Sequence, residues 1–379
     1  MARFTALERI ALLLIVLLTA LAGVANYEVW APVPRFAIAT LALAGLAWVV
    51  SFATEQLGER FGPAVTGMMQ STLGNLPELF VVIFALQKGE LVVAQTAIIG
   101  SIFANAMLVL GLVIVVGAYR AQDGVMRFSH RLPRDTTTLL LVAVFIIVLL
   151  GLSLAAHDPA SHHVDTISAV GAVSLLIVYL AWVVPYLRAD TAPGMERDDT
   201  RTDDAGTDDA GVEEGGVAGS EGGGGEPRLS LALTLGLLLS AGVASAFVSD
   251  WFINALSPAI VQLKISQAFA GLVIVAIAGN AVENTAGLVL AWKERSDLAI
   301  SVVKNSVAQI AAFLFPLLVL ISFLLATTLT FALAPVYIGA FLVMALALWQ
   351  ITGDGEAAAF EGWALVALYV ILATLTLYE

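Results

Sequence analysis

Eleven segments of mainly apolar residues, most of them about 20 residues long, constrain this chain more than any other feature. A helix of about 20 residues spans the hydrocarbon core of a bilayer. A hydrophobic fraction of 60% with 12% charged residues lies outside the range of soluble proteins. We therefore predict an all-α polytopic membrane protein embedded in lipid. Its transmembrane helices, about 11 in number, are expected near 7–25, 35–54, 62–86, 91–118, 136–156, 164–187, 229–249, 266–292, 297–324, 330–350 and 357–377.

The negative charge of the chain is concentrated in one segment. Between Asp190 and Glu226, 12 Asp and Glu residues stand against two Arg, a balance of −10 within the formal −13 of the whole chain. The segment has almost no apolar residues to bury, which favours a disordered, solvated linker over residues 189–228. Collecting cations near a pathway is the alternative role. The remaining chain is nearly neutral, and we expect no nucleic-acid partner.

Lysine and arginine are distributed unevenly between the two sides of the predicted membrane. With the N-terminus in the cytoplasm, 13 basic residues fall inside, three fall outside (Arg35, Lys88 and Lys264), and Lys304 falls within a span. The positive-inside rule therefore places the N-terminus and linker in the cytoplasm and the C-terminus outside, as in a prokaryotic plasma membrane. A cleaved signal peptide ending near Ala25 is the alternative for the first segment.

An internal repeat follows from two pairs of matching segments. "GNLPELF" at 74 matches "GNAVENT" at 279, and "GSIFANAMLVLG" at 100 matches "NSVAQIAAFLFP" at 305, both at an offset of 205 residues. Five spans in each unit is an odd number, so the units must face opposite ways across the membrane. The prediction is an extra N-terminal helix (1–30) followed by two inverted five-helix repeats (31–188 and 229–379).

Polar residues interrupt the third span. Pro77 lacks a backbone donor and its ring clashes with the carbonyl of Leu73, and Gly74 weakens the helix further. Asn75 and Glu78 are three residues apart, so they are expected to share a helix face. A glutamate inside a bilayer costs several kcal/mol unless it is paired or hydrated. Its presence therefore indicates function rather than packing.

Candidate cation ligands occupy matching spans of both repeats and share carboxylate, amide or hydroxyl oxygens. They are Glu78, Asn75, Ser101 and Asn105 in the first repeat and Glu283, Asn280, Ser306 and Gln309 in the second. Hard cations prefer such oxygens, and the absence of Cys and His from the set argues against Zn²⁺ and Cu⁺. For the uncharged residues, hydrogen bonding between helices is the alternative role.

Two other functional classes stay open at this point. An intramembrane enzyme is disfavoured because the chain contains neither H-E-x-x-H nor G-x-S-x-G. The outer segment "AAHDPASHHVD" (155–165) carries His157, Asp158, His162, His163 and Asp165, which could bind a metal, although a solvated loop is the expected role. A cation channel would use the same carboxylates without proton coupling.

The paired motifs resemble those of a known family. "GNLPELF" and "GNAVENTAG" are each followed, 27 residues after the Gly, by "SIFAN" and "SVAQI". This pattern resembles the cation/proton exchangers of the calcium/cation antiporter superfamily. The similarity covers nearly the whole chain, including "TEQLGERFGP" at 54–63. The two Asn residues favour the proton branch over the sodium/calcium exchangers, which carry Ser-rich, Pro-Glu or Pro-Asp versions.

The resemblance implies a secondary active antiporter, not an enzyme, which exchanges cytoplasmic Ca²⁺ for protons by alternating access. Glu78 and Glu283 would bind the cation and also carry the protons, and the six other candidates would be supporting ligands or neighbours of a proton relay. No cofactor is implied, because Ca²⁺ and H⁺ are the transported substrates. A sodium/calcium or other cation exchanger of the same superfamily is the alternative, and no oligomeric state follows.

This sequence departs from the family pattern at a few positions. Leu76 stands where the family usually has Ala, and Asn284 stands where it often has His. Lys304 and Asn305 replace an apolar residue and Gly. Lys304 is therefore a candidate modulator. It could pair with Glu283 when no ion is bound, or its side chain could extend to the cytoplasmic edge of the membrane.

Overall fold

Long apolar helices form most of the described structure. The computed structural model describes residues 4–58, 60, 73–129, 131–191 and 228–379, except for the side chains at 58, 131–135, 185–191, 282 and 283. Within this part, nine helices are long and apolar enough to cross a membrane, or ten if the bent pair Gln267–Gly279 and Asn284–Trp292 is one span. The predicted helical membrane fold is confirmed.

Two regions of the sequence prediction lie partly outside the described residues. The predicted span 62–86 is described only from residue 73 onward, where a shorter apolar helix lies. Of the predicted acidic linker, residues 192–227 are outside the description. The count of eleven spans and the state of the linker therefore stay predictions.

The first half of the chain contains seven helices. They are α1 (Ala6–Tyr27), α2 (Pro32–Gly58), α3 (Leu76–Gln87), α4 (Leu91–Phe103), α5 (Leu110–Arg120), α6 (Arg131–Ala156) and α7 (Val164–Thr191). A π-helical turn, Ala104–Val109, joins α4 to α5, and a 3-10 turn, Pro159–His163, precedes α7. A capping box of Thr5 and Glu8 starts α1.

The second half contains eight further helices. They are α8 (Leu231–Leu263), α9 (Gln267–Phe269), α10 (Ala276–Gly279), α11 (Ala281–Trp292), α12 (Ser296–Gln309), α13 (Phe315–Ser322), α14 (Pro335–Thr352) and α15 (Ala359–Leu377). π-Helical turns at Ala270–Val275 and Ile310–Leu314 join α9 to α10 and α12 to α13. Two short antiparallel strands, β1 (Val125–Arg127) and β2 (Glu356–Ala358), pair Met126 with Ala357 and tie two loops together.

Helix bounds recur at the offset found in the sequence. Helices α3 and α11 begin at 76 and 281 and end at 87 and 292, a difference of 205 residues at both ends. The loops after them each contain a residue with positive φ, Gly89 at 77° and Glu294 at 62°. π-Helical turns then follow both α4 and α12. The local structure thus repeats as the sequence does, while the extent of each repeat and its inverted orientation stay predictions.

The helices that carry the candidate residues lie at the centre of the bundle. Among the described spans, α4 with α5 and α12 with α13 are the most enclosed, whereas α1 and α8 expose large apolar side chains on their outer faces. Leu239 on α8, for example, is 71% exposed. Such a surface suits lipid rather than water. The polar residues are therefore expected to lie deep in the membrane.

Gly100 permits the closest backbone contact near the candidate residues. A Cβ atom at Gly100 would lie 2.5 Å from Cα and 2.6 Å from the carbonyl oxygen of Leu272, in the π-helical turn before α10. Only a residue without a side chain allows this approach. The contact brings α4, which carries Ser101, against the segment that leads to Asn280.

We expect Gly100→Ala to separate these two segments and to lower the free energy of unfolding by about 1–3 kcal/mol, the usual cost of overpacking. Thermal unfolding in detergent, followed by tryptophan fluorescence, measures the change. Gly339→Ala on α14 is the matched control, because nothing lies within 4 Å of a Cβ atom at that position. Equal melting temperatures for the two variants would contradict the role of Gly100.

Candidate functional site

A break in the helix precedes Glu78. Asn75 has φ −86° and ψ 8°, outside the helical region, and α3 starts at the next residue with Pro77 in its first turn. Proline is tolerated there because the first backbone N–H groups of a helix have no partner within it. Asn75 therefore precedes the helix as its N-cap, whereas the sequence predicted a helix face shared with Glu78. The proline starts the helix instead of kinking it.

Glu78 lies in the first turn of α3 and is 2% exposed. The N-terminal end of a helix carries a partial positive charge, which favours a carboxylate at this position. The hydroxyl of Ser101 on α4 donates a hydrogen bond to Oε1 of Glu78. A cavity of about 10 Å³, lined in part by Glu78, Phe252 and Gly279, lies beside the carboxylate. That volume is about the size of one water molecule.

A chain of hydrogen bonds connects Glu78 with the second half of the protein. Asn280 Nδ2 donates to Ser101 Oγ and to the carbonyl oxygen of Ala276, both at 2.9 Å. Asn105 Nδ2 donates to Ser306 Oγ at 2.9 Å and to Asn280 Oδ1 at 3.3 Å. The structure thus brings together five candidates, which we call the central cluster: Glu78, Ser101, Asn105, Asn280 and Ser306.

The central cluster is dry and rich in oxygen. Each of its members is at most 3% exposed. The amide oxygen Asn105 Oδ1 is buried and accepts no hydrogen bond from the described residues. A buried acceptor without a donor is costly unless another group or ion satisfies it. Together with the Glu78 carboxylate, this arrangement offers the oxygen ligands that a hard cation takes.

Three sequence candidates are less closely connected with the central cluster. Asn75 is 6% exposed at the helix break. Gln309 is 8% exposed, and among the described residues no hydrogen bond joins it to the cluster. The backbone of Glu283 lies in the first turn of α11, as Glu78 does in α3, but its side chain is outside the described part of the structure. The meeting of the two carboxylates stays a prediction.

Lys304 is buried on α12, with 4% of its surface exposed. Its Nζ donates to Thr352 Oγ1 at 2.6 Å and lies 3.5 Å from Thr137 Oγ1. Thr352 is the last residue of α14, so the side chain extends toward a helix end, as one of the two predicted roles requires. The ammonium nevertheless stays buried and does not reach the surface. Pairing with Glu283 is untested, because that carboxylate is not described.

The predicted metal-binding alternative in the outer loop finds no support in the geometry of the described residues. None of these residues form a group of three or more His, Cys, Asp or Glu able to hold a metal ion. Asp158 instead caps the 3-10 turn, accepting from Ala160 N at 2.8 Å and from Ser153 Oγ at 2.6 Å. The Ser153 hydrogen bond lowers the pKa of Asp158 below its usual value.

A second polar cluster, which the sequence did not reveal, holds α8 near its second half. Lys88 Nζ donates to Asp250 Oδ1 at 2.5 Å and to Asn254 Oδ1 at 2.7 Å. The Glu90 carboxylate accepts from Ser257 Oγ at 2.5 Å and from Gln267 Nε2 at 2.8 Å. We call this set the α8 clamp: Lys88, Glu90, Asp250, Asn254, Ser257 and Gln267. Its partners lie more than 160 residues apart, so no local pattern could have revealed it.

The first half of α8 is separated from α3 by an apolar cavity of about 630 Å³. Its lining includes Leu76 and Phe80 from α3 and Leu235, Leu239 and Val243 from α8. Leu76 is one residue from the helix break. Helix α8 is thus held by polar contacts in its second half and stands away from α3 in its first half.

Comparison with protein families identifies a clear match. The model of the family described as "Sodium/calcium exchanger protein" matches residues 32–185 and 233–378. A vacuolar calcium ion transporter of Schizosaccharomyces pombe is 29% identical over 92% of this chain and 80% of that protein. The Ca²⁺/H⁺ antiporter ChaA of Bacillus subtilis is 26% identical over 91% of this chain and 92% of that protein.

Solved structures share the fold. Native YfkE has a TM-score of 0.76 at 23% sequence identity, covering 97% of this chain and 100% of that chain. The H⁺/Ca²⁺ exchanger CAX has a TM-score of 0.71 at 14% identity, covering 98% of this chain and 93% of that chain. The helical arrangement found here therefore also occurs in solved membrane transporters.

We expect Ser101→Ala and Asn280→Ala to be coupled in stability, because each removes one partner of the same buried hydrogen bond. A double-mutant cycle on thermal unfolding should give a coupling of about 0.5–1.5 kcal/mol. Ser174 serves as control, since its exposed hydroxyl donates within its own helix to the carbonyl of Val170. Combined with Asn280→Ala, Ser174→Ala should be additive. An additive result for Ser101 as well would contradict the connection.

Proposed function

The chain belongs to the sodium/calcium exchanger protein family, and from this premise we propose that it is a secondary active antiporter that exchanges Ca²⁺ for protons. The observation that carries the proposal is the buried carboxylate of Glu78, which hydrogen bonds connect to polar side chains of both halves. Relatives named Ca²⁺/H⁺ antiporters, from Aphanothece halophytica and Bacillus subtilis, support the choice of ions. The family is one of transporters rather than enzymes.

Cation binding takes place in the central cluster. Glu78 supplies negative charge, and the amide oxygen Asn105 Oδ1 is an acceptor that Ca²⁺ would satisfy. Ser101, Asn280 and Ser306 lie within the same hydrogen-bonded chain. We assign the second carboxylate to Glu283, because its position in the first turn of α11 corresponds to that of Glu78 in α3. Asn75 and Gln309 are supporting residues at the edge of this site.

Proton coupling follows from the cost of leaving carboxylates charged in a dry site. Ca²⁺ neutralises two carboxylates when it is bound. When Ca²⁺ has left, two bare charges close together are disfavoured, so protons neutralise them instead. The two ions thus compete for the same charges, and the empty, unprotonated protein is the state to be avoided during the return step.

Alternating access is supported by the uneven position of α8. Its second half is held by the α8 clamp, while its first half is separated from α3 by the apolar cavity. In the predicted orientation the clamp is on the outer side and the cavity on the cytoplasmic side, so this conformation opens toward the cytoplasm. The opposite conformation would then require the clamp to open. We infer that Ca²⁺ leaves the cytoplasm and protons enter, across a prokaryotic plasma membrane.

Replacing either carboxylate should abolish exchange. In inside-out vesicles with an acidic interior, the proton gradient should drive ⁴⁵Ca²⁺ uptake by the native protein. We expect Glu78→Gln and Glu283→Gln each to reduce the initial rate by at least about 100-fold, because one carboxylate cannot neutralise a divalent ion in a dry site. Glu356→Gln, an exposed carboxylate on β2, is the control and should keep the native rate.

The driving gradient distinguishes the alternatives. Uptake that follows a sodium gradient but not a pH gradient would indicate a sodium/calcium exchanger instead. Passive Ca²⁺ flux that no second ion drives would indicate a channel. If both glutamine variants transported at the native rate, the central cluster could not be the transport site.

Weakening the α8 clamp should favour the outward-open conformation. The ion pair of Lys88 and Asp250 is partly exposed, so such a pair contributes about 0.2–1 kcal/mol. We therefore expect Lys88→Met or Asp250→Asn to raise the outward-open population roughly two- to fivefold. The chain has no cysteine, so Ser249→Cys, buried between α8 and the carbonyl of Pro77, provides a single site for an impermeant maleimide added from outside.

A charge-matched control separates the clamp from surface electrostatics. Lys264→Met removes another positive charge from the same side without breaking a clamp contact, and it should not change the rate of labelling. The exchanged pair Lys88→Asp with Asp250→Lys should return labelling toward the slow rate. Unchanged labelling in all variants would show that the clamp does not limit outward opening.

A further inference from the structure

Lys304 faces away from the central cluster although it is close to it in sequence. It precedes Ser306 by two residues on α12, and side chains two residues apart on a helix point about 200° apart. Ser306 contacts Asn105, whereas Lys304 contacts Thr352 on α14 and Thr137 on α6. The ammonium group is therefore placed behind the candidate site, on the opposite face of the helix.

The oxygen atom nearest to Lys304 is arranged to accept a hydrogen bond. The hydroxyl of Thr352 donates its own proton to the carbonyl oxygen of Leu348 at 2.6 Å. Its lone pairs are thus directed toward Nζ of Lys304, which donates to it at 2.6 Å. An ammonium group has three such donors, and hydrogen bonds to a charged donor are the stronger kind.

A small cavity lies beside Lys304 and is lined by two further oxygen acceptors. Its volume is about 10 Å³, and its lining includes Lys304, Ser301, Asn305 and Asp297. Ser301 Oγ and Asn305 Oδ1 are buried and have no hydrogen-bond partner among the described residues. A space of this size with several polar partners suits one water molecule. Such a water could accept from the ammonium and donate to one of these oxygens.

We propose that Lys304 is a specificity-determining residue that keeps a positive charge behind the central cluster and weakens cation binding there in proportion to the charge of the cation. The inference rests on the proposed transport function and adds to it the setting of affinity. A transported ion must bind well enough to enter and weakly enough to leave. A fixed positive charge shifts this balance toward release, most strongly for ions of high charge.

The size of the effect depends on distance, but its scaling does not. From helix geometry the ammonium lies on the order of 10–15 Å from the cluster, where an effective dielectric constant of about 20 or more gives a threefold to tenfold effect per unit charge. Coulomb energy is proportional to the charge of the bound ion. A factor of about three per unit charge therefore becomes about ninefold for Ca²⁺ and about 27-fold for La³⁺.

The test compares equilibrium binding of two ions to the purified protein in detergent. We expect Lys304→Met to tighten ⁴⁵Ca²⁺ binding by about tenfold and displacement by La³⁺ by about thirtyfold. Lys304→Arg and Thr352→Val keep the charge and should stay close to the native affinities. Lys293→Met, which removes an exposed lysine at the end of α11, is the matched control and should have no effect.

The outcomes distinguish this proposal from the proposed function. If the native protein bound Ca²⁺ but Lys304→Met changed neither affinity, or changed both by the same factor, the charge would play no such role. If the native protein bound no Ca²⁺, the proposed function itself would fail. Lys304→Gln is the second neutral variant should Lys304→Met unfold, and thermal unfolding identifies that case.

Discussion

A carboxylate buried in the centre of a membrane protein sets the conditions that the surrounding structure must meet. Glu78 is 2% exposed, and a charge there is costly unless dipoles, hydrogen bonds or ions compensate it. The break before α3 places the carboxylate in the first turn of a helix, where the helix dipole favours it. Ser101 supplies a hydrogen bond from the neighbouring helix. The close packing of Gly100 on Leu272 then brings the second half of the protein to the same place.

The two halves are alike in backbone but different in chemistry near the site. Their helix bounds differ by the same 205 residues, and the residues at the centre differ in polarity. Ile99 and Gly100 in the first half correspond to Lys304 and Asn305 in the second. The first half therefore presents an apolar, tightly packed surface behind its site helix. The second half holds a buried ammonium and a small polar cavity at the corresponding position.

Much of this arrangement could be predicted from the sequence, because lipid imposes simple rules on a chain. Hydropathy gave the helices, and the cost of a buried charge identified Glu78 as functional. The contacts could not be predicted, since they join residues far apart in the chain, as in the bond of Lys88 to Asp250. The start of α3 was also missed. A proline within an apolar run indicates a kink, and only the backbone shows that the helix begins there.

The position of the central cluster between the halves explains how binding can be coupled to movement. The bonds of Asn280 to Ser101 and of Asn105 to Ser306 each join the first half to the second. No displacement of one half against the other can leave both bonds unchanged. An ion bound among these groups therefore has a different free energy in each arrangement, which is the requirement for a ligand to shift a conformational equilibrium. A site built within one half could bind the same ion, but it would move as a rigid unit and give the ion no influence on which side is open.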